Sequence, residues 1–211
     1  MTVESLAPAQ ARGSDAMSSA KRALDLLFSL LAPLFLFIGL AIKLCDGGPV
    51  LFWQKRVGRD GVEFDFPKFR SMIPDAERRR RAIESQNHHG GGAVTFKIKN
   101  DPRITPVGRL LRRYSLDELP QLWCVLKGDM SLVGPRPLDV SESLQCAPWQ
   151  RRRLAVVPGL TCIWQVRGRS TVTFEEWMRM DLEYLRHRSF SYDLRLLLST
   201  IPSLVLQRGP R

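Results

Sequence analysis

The sequence predicts a mixed α/β protein held on one face of a membrane by a re-entrant N-terminal helix hairpin, and three observations predict it. Leu26–Ile42 is a run of 17 uncharged residues with a proline near its middle. Alternating apolar residues on either side of "GRDG" read as a β-hairpin. Later segments repeat apolar residues at helical spacing beside arginines, the pattern of amphipathic helices at an interface.

A chain of 211 residues can bury one substantial core. Lysine and arginine total 32 against 21 aspartates and glutamates, a net charge of +11 that calls for an anionic partner. A membrane surface, a phosphorylated substrate and nucleic acid all meet that description. Nucleic acid is set aside, because an apolar segment is present and no recognisable binding motif is. Cys45, Cys124, Cys146 and Cys162 lie far apart and form no CxxC pair, which predicts reduced, buried thiols in a cytosolic setting.

Residues 1–20, rich in Ala, Ser, Gly and Pro, read as a disordered lead. Residues 21–45 are the expected membrane helix. Its 17-residue uncharged run is at the short limit for a span, so length alone leaves a single crossing open. Pro33 should kink the helix. Lys21 and Arg22 precede the segment, and Lys43, Lys55, Arg56 and Arg59 follow it. Positive charge is retained on the cytoplasmic side, so basic flanks at both ends place both ends there. Residues 46–209 are then expected to form one cytosolic catalytic domain at the lipid bilayer.

Within that domain Val50–Trp53 and Val62, Phe64 and Phe66 form the hairpin. Residues 74–85, "PDAERRRRAIES", read as a helix whose early acids and late arginines suit its dipole. "NHHGGG" is a loop without metal-ligand spacing, and "AVTFKIK" reads as a strand. Leu119, Leu122, Trp123 and Leu126 mark an amphipathic helix that Gly128 should stop. "SLVGPRPL" puts a proline on each side of Arg136, stiffening the chain where that side chain departs. "PGLTCIWQVRGRS" reads as a turn, a strand and a basic turn. "TFEEWMRMDLEYLR" is a helix capped by Thr173. Trp177, Tyr184 and the C-terminal leucines are open to lipid or to a second subunit, which keeps a homo-oligomer among the expectations. Residues 191–209 form a last apolar helix interrupted by Pro202.

The acidic pair Asp117 and Glu118 stands between a basic run and Pro120. One reading is capping: Ser115 with Glu118 matches a capping box, or Asp117 is itself the cap, which places Pro120 where no intrahelical bond is lost. The other is chemical. Acids at a helix start, with Arg112, Arg113 and Arg136 to clamp phosphate oxygens and a metal ion held by one carboxylate, are the parts of phosphoryl transfer.

Five strings in this order, "KRALDLLFSLLAP", "GPVLFWQKRVGRDG", "FPKFRSM", "DPRITPVGRLLRRYSLDELPQLWCVLKGDMSLVGPRP" and "PGLTCIWQVRGRS", resemble the bacterial sugar transferases, the monotopic phosphoglycosyl transferases. The resemblance covers nearly everything from about residue 18 to 209. It implies transfer of a phosphosugar from a nucleoside diphosphate sugar, usually a UDP-sugar, to a polyprenyl phosphate such as undecaprenyl phosphate, with release of UMP. It implies Asp117 as nucleophile, through a covalent phosphosugar aspartyl intermediate, and Glu118 as a ligand of the cofactor Mg²⁺. Arg112, Arg136 and Lys68 match the family's basic positions around the phosphates. The implied location is the cytoplasmic face of the bacterial inner membrane. The chain departs from the pattern at Ala32, where many relatives have serine before Pro33, and at Arg167, where many have asparagine. A membrane adaptor in which Asp117 only caps a helix is the rival of another class.

Overall fold

A computed structural model describes residues 11–80, 101–167 and 172–205. The chain divides into two units, Met1–Ala41 and Ile42–Arg211. Helix α1, Ala11–Asp46, supplies the first and runs on into the second. It starts within the segment expected to be disordered. The reason is cooperative: alanines at 11, 16 and 20 cost little to add to a helix already nucleated by the apolar run behind them. The helix continues through Pro33 as a single element, so the expected hairpin is not divided here into two helices. Its window Ser29–Asp46 has a mean hydropathy of 1.8, apolar and long enough to cross a membrane. Leu30, Leu36, Phe37 and Leu40 are exposed along it.

The second unit is built on two small sheets. Strands β1, Leu51–Val57, and β2, Glu63–Phe69, pair antiparallel with Arg56 opposite Phe64 and Gln54 opposite Phe66, which is the expected hairpin. Its turn uses Asp60 at φ 56° and Gly61 at φ 82°, residue types suited to left-handed backbone. Alternation sends Phe64 and Phe66 into a core with Cys124 and Met130. Pro67 is tolerated because a two-stranded sheet leaves each strand an edge.

After α2, Ala76–Arg80, the remainder of the expected 74–85 helix, the histidine loop and "AVTFKIK" lie outside the described residues. Helix α3, Pro106–Arg113, begins at Thr105, whose hydroxyl accepts from the Gly108 amide at 2.9 Å. A 3₁₀ turn, Leu116–Gln121, leads into α4, Leu122–Lys127, which stops at Gly128 with φ 85°, as expected. Strand β3, Ser131–Val133, lies parallel to β4, Gly159–Thr161. Between them come α5, Val140–Leu144, α6, Pro148–Arg151, and a 3₁₀ turn at Arg152–Ala155.

The strand expected in "PGLTCIWQV" is only three residues long, and the rest is helix α7, Ile163–Arg167. Packing overrides the β-branched pattern there, for Ile163 is buried against Val133, Tyr184 and Leu196. Helix α8, Phe174–His187, has the expected Thr173 cap, reinforced by a reciprocal bond from Glu176. Helix α9, Phe190–Val205, contains Pro202.

Two residues left open to lipid or to a second subunit pack within the domain. Tyr184 is 6% exposed and donates to the Val133 carbonyl and Asp193, while Trp177 packs on Trp164 with centroids 4.8 Å apart. Leu194 and Leu198 of α9 are exposed. Cys124, Cys146 and Cys162 are buried free thiols as expected, but Cys45, near the end of α1, is exposed.

One glycine ties the fold to the site. A Cβ on Gly108 would stand 1.9 Å from the Ser71 carbonyl oxygen, in rigid backbone. Gly108→Ala is expected to cost at least about 1–3 kcal/mol, read as a lower melting temperature in detergent. An unchanged melting temperature would show that the two segments separate at no cost.

Candidate active site

Ser115 decides where the acidic pair goes. With φ at 56° it occupies the left-handed region, unusual for a residue with a side chain, and breaks the path of α3. The chain then closes a 3₁₀ turn in which the Glu118 amide donates to the Ser115 carbonyl at 3.2 Å. Both capping readings fail on this geometry. Ser115 stands at the cap position without a side-chain capping bond, and Asp117 lies inside the turn, buried at 6% exposure. The helix after Pro120 also begins without a side-chain cap.

Glu118 meets Arg136 across the site. Arg136 Nη2 donates to Glu118 Oε1 at 2.5 Å and Nη1 to Oε2 at 3.3 Å, a fork on both carboxylate oxygens. Burial pulls the Arg136 guanidinium down, and Glu118, through charge and hydrogen bonds, more than reverses this. Arg136 is therefore cationic at any working pH.

Lys68 arrives from β2. It follows Phe64 and Phe66 at alternate positions, and its Nζ lies 5.1 Å from the Phe66 ring centroid. Arg56, on the same face through its pairing with Phe64, covers that ring from 5.4 Å. Burial and the charge of Arg136 lower the Lys68 ammonium from its ordinary value to about 7, against upward pulls from Glu118 and Asp117. Lys68 is thus poised to change charge near neutrality.

Asp117, Glu118, Arg136 and Lys68, expected from the sequence to act together, are brought into one electrostatic cluster. Arg112 Nε donates to Ser71 Oγ at 2.8 Å, and its charge helps to lower Asp101. Pro33 lies within α1, while the side chains of Lys21 and Arg22 lie outside the described residues.

Arg56 was counted in the sequence only as a basic flank of the membrane segment. It turns inward, reaching the Pro137 carbonyl at 3.3 Å and Glu142 at 3.5 Å. Its place opposite Phe64 in the hairpin register was the available signal. Gln121 is fully buried, and both ends of its amide lack a hydrogen-bond partner among the described residues, one turn beyond the acids. No signal in the sequence distinguished it from a surface glutamine.

Among the described residues no three His, Cys, Asp or Glu side chains converge as a metal cage. Mg²⁺ does not require one, since one or two carboxylates with substrate phosphates and water complete its shell. A carboxylate has about four acceptor positions, and the Arg136 fork uses two on Glu118. The donor set fits that ion. The arrangement sets the cationic Arg136 and Lys68 beside two carboxylates, a combination suited to an anionic phosphate.

Comparison with known proteins gives the same direction. Residues 16–207 match the bacterial sugar transferase family. A galactosyl transferase, CpsE, of Streptococcus agalactiae serotype III is 44% identical over 167 residues, covering 79% of this chain and 37% of that protein. The exopolysaccharide production protein ExoY of Rhizobium meliloti is 38% identical over 204 residues, covering 90% of this chain and 87% of ExoY. A UDP-glucose:undecaprenyl-phosphate glucose-1-phosphate transferase of Caulobacter vibrioides is 41% identical over 198 residues, covering 88% and 69%. The chain therefore spans about a third of the first relative and most of the other two.

Proposed function

Because the chain belongs to the bacterial sugar transferase family, we propose that it transfers a phosphosugar from a UDP-sugar to undecaprenyl phosphate, releasing UMP, at the first membrane step of exopolysaccharide or glycan assembly. The observation that carries this reading is the Arg136 fork on Glu118 beside buried Asp117 and poised Lys68. Names of relatives agree: one acts on UDP-glucose and undecaprenyl phosphate, another in exopolysaccharide production.

The chemistry follows from the turn. Residues of a 3₁₀ turn diverge by about 120°, so Asp117 and Glu118 take separate roles. An Asp117 carboxylate oxygen attacks the sugar-bearing phosphorus. The bond from that phosphorus to the bridging oxygen breaks, its electron pair leaves on UMP, and Asp117 holds the phosphosugar as an acyl phosphate. Arg136 and Lys68 stabilise charge on the phosphoryl oxygens as it develops. The low exposure of Asp117 keeps water from hydrolysing the acyl phosphate. A phosphate oxygen of the polyprenyl phosphate then attacks the same phosphorus, forming the diphosphate link and returning Asp117 to a carboxylate. Glu118 would hold Mg²⁺, which would supply positive charge to offset that developing on the nucleotide.

The active site belongs where a soluble nucleotide and a lipid phosphate can meet. We place it on the cytoplasmic face of the inner membrane, with α1 entering and leaving on that face by bending at Pro33. The exposed apolar side chains of α1 suit lipid contact.

The test is UMP release from a panel of UDP-sugars by protein purified in detergent with Mg²⁺. Sustained release that requires undecaprenyl phosphate, with one stoichiometric burst in its absence, is the expected result. Sustained release without the lipid phosphate would overturn the reading. The pH profile gives a second check. Lys68 is cationic below about 7 and loses its charge above it, so kcat/KM for the sugar nucleotide should fall as pH rises through that value. Lys68→Arg should remove that decline, since arginine stays charged. A decline that persists unchanged in the variant would assign it to another group.

A further inference from the structure

The prolines flanking Arg136 have no N–H groups, so the strap Pro135–Leu138 cannot be tied down through those amides. It is tied instead through its carbonyls, all four in succession. The Gly159 amide donates to the Pro135 carbonyl at 2.9 Å, and the Val57 amide to the Leu138 carbonyl at 3.0 Å. The two carbonyls between them are taken by arginine side chains. Arg56 reaches Pro137 at 3.3 Å, and Arg153 Nη2 makes a short bond to the carbonyl of Arg136 itself.

Arg153 is 3% exposed, and Asp181 on α8, 1% exposed, accepts from its Nε through Oδ2 at 2.8 Å, with Nη2 in ion-pair contact with the same oxygen at 2.8 Å. The guanidinium also lies 5.8 Å from the Trp177 ring. Such a pair is poor as a device for stability, because desolvating two charges offsets most of their attraction, and apolar residues of similar volume often do as well. What an apolar pair could not do is donate to the Arg136 carbonyl. Asp181 fixes the direction of the donor, and the donor fixes the point from which the Arg136 side chain departs.

We propose that Arg153, aimed by Asp181, is a positioning residue that holds the Arg136 guanidinium, forked on Glu118, at the place where it meets the reacting phosphate. The proposal rests on the transfer reaction above. It differs from it in assigning part of the catalytic geometry to a pair that touches neither substrate.

The experiment is a double-mutant cycle on the full chain in detergent. Replacing the pair together, Arg153→Met with Asp181→Leu, leaves no orphan charge and should keep the melting temperature. This variant is expected to lower kcat by about tenfold or more, with KM for the sugar nucleotide within about twofold. In an Arg136→Lys background the same replacement should cost less than about a further twofold, because the group it positions is already gone. An undiminished loss in that background, or a native kcat without the pair, overturns the proposal. Should the paired replacement not fold, Asp181→Asn, which keeps shape and loses charge, is carried through the same cycle with the same two outcomes. A wild-type protein that releases no UMP from any sugar nucleotide would sink the transfer reaction instead. Hydrogen exchange in the segment 134–140 then decides the strap: faster exchange without the pair supports it, and unchanged exchange overturns it.

Discussion

Asp117→Asn is expected to lower turnover by at least about a thousandfold, and to abolish the stoichiometric burst of UMP that precedes it. The substitution keeps the shape of a side chain that is 6% exposed, so the fold has little reason to respond. What it removes is the attacking oxygen's charge. An amide does not displace a nucleotide, and no phosphosugar should be found on the intact variant by mass spectrometry, whereas the native protein mixed with donor alone should gain one. The bland alternative, that Asp117 ends a helix, predicts a loss of about 0.5–2 kcal/mol of stability and normal chemistry. Geometry already weighs against it, since the aspartate lies inside the 3₁₀ turn. A burst that survives the substitution would overturn the covalent step.

Arg136→Lys should be the next most damaging change, lowering kcat by about a hundredfold to a thousandfold. Charge is conserved in it. Lost is the planar fork that spans both Glu118 oxygens at 2.5 and 3.3 Å, with about three further N–H donors on the same guanidinium. A lysine can satisfy one of those oxygens, so Glu118 keeps a partner while the phosphoryl group loses its second donor. Steady-state kinetics decide the point. A fall in kcat places the fork at the transition state, whereas a raised KM with native kcat would reduce it to a docking contact.

Much of this was legible in the chain, for identifiable reasons. The hairpin showed because the apolar run Val50–Trp53 and the alternating Phe64 and Phe66 flank two residues suited to left-handed backbone, a pattern that needs no distant partner. Helix α8 showed because Thr173 and Glu176 cap one another within one turn. The acidic pair drew notice through composition, yet both capping assignments missed. Each assumed that the chain enters the helix directly, and the positive φ of Ser115 sends it into a 3₁₀ turn first.

Contacts between distant segments were not legible. Arg153 and Asp181 are 28 positions apart, and Arg56 and Pro137 are 81 apart. Arg56, Arg153 and Asp181 each looked like one more basic or acidic residue on a helix or strand. The surroundings of Trp177 and Tyr184 stay open in the sequence for a related cause. An aromatic on an amphipathic helix meets lipid or core alike, and only the neighbours Trp164 and Val133 decide.

The unequal exposure of the cysteines equips the native chain for labelling. Burial raises the thiols of Cys124 to about 11 and of Cys146 above its ordinary value, and pushes Cys162 higher still, so in the folded protein all three resist alkylation. Cys45 alone among the cysteines is open to solvent. A maleimide dye should therefore attach at a single point beside the end of α1, with no residue substituted. Quenchers fixed at known depths in a bilayer could then report how far that end lies from the lipid headgroups, before and after a sugar nucleotide is added.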